Sequence, residues 1–407
     1  MEIYVAGVSM TRFAPQPERS IKGLVHEAVT EALADAGARR RDIGAAFFAN
    51  AGQGALEGQV AIRGQIALRS MGIEKIPVVN VENACASGSS AFNMAVAYLR
   101  AGNTDVALAV GAEKLCFDDQ QKVMSIFEGG WDVHNRDETY RRLQAMGDGI
   151  EVPEVEGHRT VSMDIYSSFA RAHMKSFGTS QRQLAAVSAK NHWHSQFNDK
   201  AHFRKPMSIE EVLAGRALSY PLTVPMCSPL SDGAAAAVLC TREGLRRLQA
   251  ERPVKVLASV LAMGSDRPAS DWSQHIGRRV ANLAYEQAGI GPEDISVAEC
   301  HDASSVGELI YTEMLGFCGL GEGGVFAESG ATRLGGEIPV NPSGGLECKG
   351  HPLGATGLAQ IYELATQLRG AAGQRQVEGA RFAIAENAGG LYGIEDATTC
   401  ITILGKE

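Results

Sequence analysis

The chain has 407 residues, more than one small core needs and enough for two domains or a duplicated one. Hydrophobic residues make up 45% and charged residues 21% of it, as in ordinary globular proteins. The formal net charge is −9, and no basic block carries interleaved aromatic residues. Both features argue against nucleic acid as the main partner, because phosphate binding needs concentrated Lys and Arg.

Targeting signals and cysteine usage restrict the cellular setting. The N-terminal sequence MEIYVAGVSMTRF lacks the basic region and long apolar run of a signal peptide. No stretch approaches the roughly 20 apolar residues of a membrane span. The 8 Cys residues form no CxxC pair and no metal-like spacing with His. We therefore expect a cytoplasmic protein with free thiols that binds neither a membrane nor nucleic acid.

The N-terminal quarter alternates strand-like with helix-like segments. The strand-like segments are uninterrupted apolar runs, as expected for a buried sheet covered by helices on both faces. This alternation predicts an α/β architecture. In chain order the predicted elements are strand 3–8, helix 21–36, strand 45–49, helix 60–70, strand 77–81, helix 87–100 and strand 106–111.

The C-terminal part repeats this pattern with matching residues. Residues 32–46 align without gaps to residues 284–298, with Ala-Gly and Asp-Ile pairs in register. Further on, Ala86 and Gly88 recur as Ala355 and Gly357. One such match could arise by chance, but two in the same order predict an internal duplication.

A long polar and aromatic segment separates the two repeats. It predicts an inserted domain rather than a linker, because its aromatic residues can build a core. The predicted N-terminal half comprises residues 1–116 and 226–250, the insertion residues 117–225, and the C-terminal half residues 251–407. The aromatic residues in question are Trp131, Tyr140, Tyr166, Phe169, Trp193 and Phe197.

The duplication pairs two loops that carry reactive side chains. The loop before helix 87–100 contains Cys85, and the equivalent loop before the last long helix contains His351. A pseudo-twofold axis would bring both loops together. The N-terminus of a helix lowers a thiol pKa and can hold an oxyanion, and an imidazole can accept the thiol proton. Alone, Cys85 would be a structural thiol at a tight turn; paired with His351, it is predicted to be a nucleophile.

The motifs ENACASGSS, SPLSDGAAAAV, HDAS and NPSGGLECKGHPLGATG resemble the successive motifs of the thiolase superfamily. Across residues 3–404 the chain is most similar to the sterol-carrier-protein-2 type of thiolase. The resemblance implies two duplicated βαβαβαββ halves in five α-β-α-β-α layers, with an inserted loop domain that binds coenzyme A and substrate. It further implies a homodimer or tetramer, no permanently bound cofactor or metal, and ping-pong acyl transfer between acyl-CoA and coenzyme A through an acyl-cysteine.

The resemblance also assigns roles to single residues. Cys85 corresponds to the nucleophile, and His351 to the histidine that activates it and shapes one oxyanion hole. His301 matches a histidine that holds a water or substrate oxygen in that hole; its alternative is a structural strand-end His. The backbone amides of Cys85 and Gly389 correspond to a second oxyanion hole. Two further positions match substrate-binding ones: Ser228, where thiolases contact the pantetheine arm, and Met163, in the pocket wall.

The sequence departs from the family in its acid/base residue. Most thiolases use a second Cys two residues before the oxyanion glycine, where this chain has Asn387. The sterol-carrier branch uses the Cys of an HDCF motif, where this chain has Ala303. Cys348, three residues before His351, is the first candidate to replace them, and Tyr392 and Asp302 are weaker ones. The altered acid/base residues favour an unusual bulky or aromatic substrate over acetoacetyl-CoA.

Three functions fit these residues. The first is thiolysis of a 3-oxoacyl-CoA, or the reverse Claisen condensation, through acyl-Cys85. The second is a retro-aldolase of the steroid side-chain type, acting on a 3-hydroxyacyl-CoA, and the third is a non-catalytic acyl-CoA- or lipid-binding protein. Retention of Cys85 with His351 favours the first. Some similar thiolases work with a small zinc-ribbon/OB-fold partner protein, so such a partner is a further expectation.

Overall fold

The computed structural model of the protein describes residues 1–153, 160–248 and 250–406. Residues 154–159, 249 and 407, which belong to the predicted insertion and halves, lie outside the described residues. No helix within the described ranges is long and apolar enough to span a membrane. The strands are β1 (Ile3–Met10), β2 (Ala45–Ala49), β3 (Val78–Val81), β4 (Val106–Glu113), β5 (Ala217–Ser219), β6 (Leu222–Thr223), β7 (Gly233–Thr241), β8 (Val254–Met263), β9 (Val297–Glu299), β10 (Phe382–Tyr392) and β11 (Glu395–Lys406).

Two of the three helices predicted in the N-terminal quarter are present with nearly the predicted bounds. The third, predicted at 60–70, begins only at Arg63, because Ile62 has a left-handed backbone. The helices are α1 (Ile21–Asp35), α2 (Gln53–Glu57), α3 (Arg63–Arg69), α4 (Ser87–Arg100), α5 (Gln120–Glu128), α6 (Arg136–Met146), α7 (Val161–Phe177), α8 (Gln181–Ser195), α9 (Ile209–Leu213), α10 (Arg242–Arg247), α11 (Ile276–Ala288), α12 (Ser305–Met314), α13 (Gly323–Glu328), α14 (Gly345–Lys349) and α15 (Leu353–Leu368).

One mixed sheet of 9 strands runs through both halves in the order β3-β2-β4-β7-β1-β8-β11-β10-β9. At its middle β1 pairs antiparallel with β8, Ile3 lying opposite Val256. Outward from this seam, the next two strand pairs on each side are antiparallel and the third pair is parallel. The first side ends on parallel β3, and the second on a single parallel bridge between Ala298 and Val340. The predicted α/β class and the doubled arrangement are confirmed.

Helices α4 and α15, the equivalent helices of the two halves, pack against each other. Glycines permit this close approach. A Cβ atom on Gly88 would lie 2.8 Å from the carbonyl oxygen of Gly354, and one on Gly357 would lie 2.4 Å from the amide nitrogen of Ser89. Because Gly88 and Gly357 are the residues matched by the duplication, the contact lies where a pseudo-twofold axis requires it. The loops before both helices therefore meet.

The insertion shares its core with the C-terminal half. Leu143 and Leu184 of the insertion belong to the same buried cluster as Ile276 and Ile310. Aromatic residues of the insertion, Trp131, Tyr166 and Phe169, pack against this cluster as well. These aromatic residues therefore contribute to a core that the insertion shares with the C-terminal half. The insertion forms a wall over that half, beside the meeting point of the two loops.

Candidate active site

Cys85 lies on the short loop between β3 and α4. Ala84 adopts a positive φ of 47°, a strained conformation for a residue with a side chain. Ser87 holds this conformation: its hydroxyl donates to the carbonyl of Ala84 (2.6 Å) and accepts from the backbone N–H of Asn83 (2.9 Å). The half-buried Cys85 is thus presented from a locally fixed turn at the start of α4.

The pKa of the Cys85 thiol differs from the prediction. A lowered pKa was expected from the helix N-terminus, but burial raises the pKa of Cys85 to about 12, with further contributions from the nearby carboxylates of Asp396 and Glu113. Desolvation and negative charge therefore outweigh the helix terminus. The resting group is a thiol, and it needs a base before it can attack.

His351 is arranged as that base. Its Nδ1 lies 2.7 Å from the hydroxyl oxygen of Thr356, and this hydroxyl donates to the carbonyl of Pro352. The network therefore assigns the ring proton to Nδ1 and leaves a lone pair on Nε2. Nε2 is buried without a hydrogen-bond partner among the described residues. Burial and the neighbouring His301 lower the pKa of His351 well below its usual value, so the ring is neutral.

His301 is held in the opposite tautomer. The side-chain amide of Asn387 lies 3.0 Å from Nδ1 of His301, and its oxygen accepts a hydrogen bond from Ser89 (2.8 Å). With the Asn387 nitrogen donating, Nδ1 of His301 is an acceptor and Nε2 carries the proton. Burial lowers the pKa of His301 to about 3, so the ring is a neutral donor. Asn387 stands where most thiolases have a Cys, and here it positions His301.

These three side chains converge. The Cys85 sulfur and one ring nitrogen from each of His301 and His351 lie within 4.8 Å of one another. The two imidazole rings are 5.2 Å apart, with an interplanar angle of 78°. One sulfur and two nitrogens could also ligate a thiophilic metal ion, but the proton on Nε2 of His301 fits hydrogen-bond donation better. The sequence-predicted meeting of Cys85 with His351 is therefore present in the structure.

Two cavities of about 540 and 530 Å³ meet at His351. His351, Ser228 and Met163 line both, so the cavities form one channel. The first cavity opens between the exposed side chains of Lys205 and Arg216. The second contains Cys85 and extends under the insertion. Ser228 and Met163 were predicted to bind substrate, and the structure brings both to the channel.

Gly389 packs directly on the nucleophile loop. A Cβ atom there would lie 2.2 Å from the carbonyl oxygen of Asn83 and 2.5 Å from the amide nitrogen of Ala86. Only glycine allows β10 to approach the loop this closely. The following residue, Gly390, lines the cavity that contains Cys85. The role of the Gly389 amide in an oxyanion hole stays a prediction.

The structure does not bring Cys348 to the site. It is fully buried in α14, which packs on α8, and it is absent from the described residues that line the two cavities. Its thiol interacts with Ser195, and burial raises its pKa well above its ordinary value. Asp302 accepts the backbone N–H of Leu346 (2.7 Å) and so fixes the same turn, while Tyr392 is 63% exposed. The geometry therefore gives no support to the prediction that Cys348 replaces the second catalytic Cys.

Asp396 was missed by the sequence analysis. It lies near the start of β11 and lines the same cavity as Cys85 and His351. Burial raises its pKa to about 6. Sequence reasoning passed over it because it belongs to no recognised motif; the adjacent acids Glu395 and Asp396 on an otherwise uncharged stretch of strand were the available signal.

Comparisons with known proteins agree with this geometry. The family model described as "Thiolase, N-terminal domain" matches residues 3–213, and the model described as "Thiolase C-terminal domain-like" matches residues 263–406. The chain is 36% identical over 401 residues to an acetyl-CoA acetyltransferase of Methanothermobacter thermautotrophicus, covering 96% of this chain and 97% of the relative. It is 35% identical over 399 residues to sterol carrier protein 2 of Homo sapiens, covering 95% and 70%.

A third relative and two solved structures extend the comparison. The benzoylsuccinyl-CoA thiolase subunit BbsB of Thauera aromatica is 32% identical over 382 residues, covering 93% of this chain and 91% of the relative. The Ltp2-ChsH2(DUF35) aldolase superposes with a TM-score of 0.77 at 23% identity, covering 100% of this chain and 98% of that chain. Human mitochondrial 3-ketoacyl-CoA thiolase superposes with a TM-score of 0.70 at 14% identity, with the same coverage.

The chain belongs to the thiolase family. Within it, the similarity to the sterol-carrier-protein-2 type confirms the predicted branch. Its class is that of an acyltransferase, as the paired Cys85 and His351 had indicated.

Proposed function

We propose that the protein is an acyl-CoA C-acyltransferase that cleaves a bulky or aromatic 3-oxoacyl-CoA with coenzyme A, or runs the reverse condensation, through an acyl-Cys85 intermediate. One observation carries this proposal: the Cys85 sulfur and nitrogens of His351 and His301 lie within 4.8 Å of one another. In addition, Nε2 of His351 has no other partner among the described residues. The arrangement fits a thiol, its base and a hydrogen-bond donor.

In the first half-reaction His351 takes the Cys85 proton on Nε2. The thiolate adds to C3 of the substrate and turns the C3 carbonyl oxygen into an oxyanion. Collapse of this adduct breaks the C2–C3 bond and leaves the electron pair on C2 of the shorter acyl-CoA. The proton held on His351 then passes to C2. One imidazole thus balances the step, and no second Cys is required.

In the second half-reaction coenzyme A enters as a thiol. His351 takes its proton, and the coenzyme A thiolate attacks the acyl-Cys85 thioester. The Cys85–acyl bond breaks, and the departing Cys85 thiolate recovers the proton from His351. The resting state is restored, with a neutral thiol beside a neutral imidazole. The lowered pKa of His351 supports this cycle, because imidazolium formed there readily returns its proton.

Hydrogen-bond donors near the thiol stabilise the charge that develops. The Nε2–H group of His301, fixed by Asn387, can donate to a substrate oxygen. The backbone amides of Cys85 and Gly389 would serve the second oxygen, and the packing of Gly389 on the nucleophile loop supports this. With two such sites, preformed hydrogen-bond donors stabilise the developing negative charge both during thiolate attack and during C2–C3 cleavage.

The channel supports coenzyme A and a large acyl group as ligands. Lys205 and Arg216 at its mouth suit the phosphates of coenzyme A, and the neck at Ser228 and Met163 suits the pantetheine arm. Beyond Cys85 the cavity of about 530 Å³ exceeds the needs of an acetyl group. The similarity to a benzoylsuccinyl-CoA thiolase subunit supports a bulky or aromatic acyl chain.

Mass spectrometry of the acyl-enzyme tests the proposal. The protein is mixed with acetyl-, branched and aromatic acyl-CoA, and the adduct is located by peptide mapping. An acyl group on Cys85 is expected with at least one aromatic probe, and Cys85→Ala should abolish it. Cys318→Ala, at another half-buried thiol, is the matched control and should retain the adduct. Absence of any adduct, or its persistence in Cys85→Ala, would reject the proposal.

The retro-aldolase is the second candidate. The structural neighbour named as an aldolase shares the fold, and aldol cleavage needs no acyl-enzyme. A 3-hydroxyacyl-CoA cleaved without any mass increase on Cys85 would favour it. The convergence of Cys85 with an unpaired His351 nitrogen is better explained by acyl transfer.

Assembly and location belong to the same proposal. We expect a homodimer or tetramer in a reducing cytoplasm, a setting that its free thiols favour. The name of the aldolase neighbour includes a DUF35 protein, which supports a small zinc-ribbon/OB-fold partner for this chain too. Light scattering of the purified chain, alone and after co-expression with a DUF35-type zinc-ribbon/OB-fold protein, tests both expectations.

A further inference from the structure

Asp396 faces the far part of the cavity that contains Cys85. On the hairpin of β10 and β11, Gly389 lies opposite Thr398 and Leu391 lies opposite Asp396. Residues two apart along a strand point to the same face, so Asp396 shares the face that Gly389 turns toward the nucleophile loop. Asp396 also lines the cavity itself, together with Leu391. An acyl group attached to Cys85 would extend toward this carboxyl.

The Asp396 carboxyl is held in place but has no counter-ion. The hydroxyl of Tyr311 donates to Oδ2 of Asp396 (2.6 Å). Arg267 acts on Asp396 electrostatically but is ion-paired with the neighbouring Glu395 (2.8 Å). No cation of the described residues forms an ion pair with Asp396. The carboxyl is therefore oriented by a neutral donor and retains acceptor capacity toward the cavity.

The remainder of this cavity wall is largely apolar and aromatic. Tyr311 supplies one hydrogen-bond donor to the Asp396 carboxyl, and a further donor from a ligand or water would offset the cost of burying its remaining acceptor sites. Burial accordingly raises the pKa of Asp396 to about 6. The apolar and aromatic wall residues are Ile126, Phe127, Ile165, Tyr166, Phe169 and Leu391, and the charged residues Arg63 and Glu82 line the same cavity.

We propose that Asp396, oriented by Tyr311, forms a subsite that recognises a hydroxyl group on a ring-containing acyl chain. The inference rests on the proposed function, because attachment to Cys85 is what directs the acyl chain into this cavity. The aromatic wall favours a ring, and the acceptor oxygens of Asp396 favour a hydrogen-bond donor on that ring. Asp396 is thus a specificity-determining residue for the acyl group.

Charge and solvation favour a hydroxyl over other polar substituents. A carboxylate on the acyl chain would meet the negative charge of Asp396 at close range. An ammonium group would lose its hydration in a mostly apolar cavity for a single ion pair. A hydroxyl loses less hydration and can donate to the free acceptor sites of Asp396. A hydrogen bond to a charged acceptor is stronger than one between neutral groups.

Matched acyl-CoA probes test the subsite. The probes are 3-phenylpropanoyl-CoA and its 3- and 4-hydroxyphenyl counterparts, and the measured quantity is the rate constant for Cys85 acylation. At least one hydroxylated probe should react about 10- to 100-fold faster than the parent, as expected for a hydrogen bond to a charged group. In Asp396→Leu this preference should fall to about one, through loss with the hydroxylated probe. Tyr311→Phe should reduce it partly, and Asp137→Asn, at an exposed carboxyl on α6, should preserve it.

Other outcomes would overturn the inference. Equal rates for all three probes in the wild type would do so, as would an equal loss for all probes in folded Asp396→Leu. If that variant unfolds, the isosteric Asp396→Asn takes its place and should lower the preference. Calorimetric binding of the same probes to Cys85→Ala separates the two proposals. A preference in binding without any acylation of the wild type would reject the acyl-enzyme and retain the subsite, whereas no preference in either assay would reject the subsite.

Discussion

The loops before α4 and α15 occupy equivalent places in the two halves but differ in construction. The first is built of small residues, has one strained residue in Ala84, and leaves Cys85 half-buried. The second is buried and held from several sides. Glu113, from the first half, accepts the backbone N–H of Gly354 (3.1 Å), and Thr356 binds the ring of His351.

This difference divides the chemistry between the loops. The first loop presents an atom that must meet large substrates, so it lies open to the channel. The second fixes a protonation state, which requires a ring held in one tautomer away from bulk water. The duplication places the two loops at similar positions. The surroundings of Cys85 make the first loop the reactive one, and the surroundings of His351 make the second loop the one that controls protonation. Variants of the second loop should therefore alter rates without moving the site of acylation.

The largest effect in the second loop is expected from His351→Asn. Asparagine cannot accept the Cys85 proton, and the raised pKa of Cys85 leaves almost no spontaneous thiolate near pH 7. The rate constant for Cys85 acylation should fall by about 10²- to 10⁴-fold, the usual contribution of a general base. The exposed residue His134 provides the control His134→Asn. An acylation rate within a few-fold of the wild type would show that another group removes the proton.

A smaller effect is expected from Thr356→Val. The substitution keeps the shape but leaves the Nδ1–H of His351 buried without its partner, at a cost of about 1–3 kcal/mol. The ring would lose its fixed tautomer, and acylation should slow by about 10- to 100-fold. Thr366, on the same helix, bonds only the carbonyl of Tyr362, so Thr366→Val is the matched control. Equal rates in both variants would mean that Thr356 does not set the orientation of His351.

The smallest effect is expected from Cys348→Ala. This thiol is close to His351 in sequence but packs toward Ser195 and α8. Acylation and thiolysis should stay within about threefold of the wild type, while the free energy of unfolding falls by about 1 kcal/mol for the small buried cavity. Turnover slowed by orders of magnitude, with acylation intact, would restore Cys348 as an acid/base residue.

The sequence predicted the features that depend on pattern. The bounds of α4 and the pairing of Cys85 with His351 followed from apolar periodicity and from the matched glycines of the two halves. Features that depend on the three-dimensional surroundings of a residue could not be predicted from the sequence. The pKa of Cys85 is raised first by burial of the thiol and then by carboxylates from β4 and β11, and all of these come from residues brought together in space.

Cys348 and Asp396 show, in opposite ways, that distance along the chain does not predict proximity to the site. Cys348 lies three residues from His351, but the intervening turn directs its side chain into the packing with α8. Asp396 lies outside every motif recognised in the sequence, but strand pairing brings it beside the cavity of Cys85. Proximity along the chain is a poor guide to the site, because a single positive-φ glycine such as Gly350 can reverse the direction of the chain between two neighbouring side chains.

The continuous pairing of β1 with β8 makes the reaction centre a property of the whole chain. Neither half alone contains both a sulfur nucleophile and its base, since Cys85 belongs to one and His351 to the other. Enzyme activity therefore measures whether the two halves have docked correctly along the β1–β8 pairing during refolding. A co-expressed pair of fragments split after β7 should regain turnover only when both are present, which makes the protein a natural split reporter.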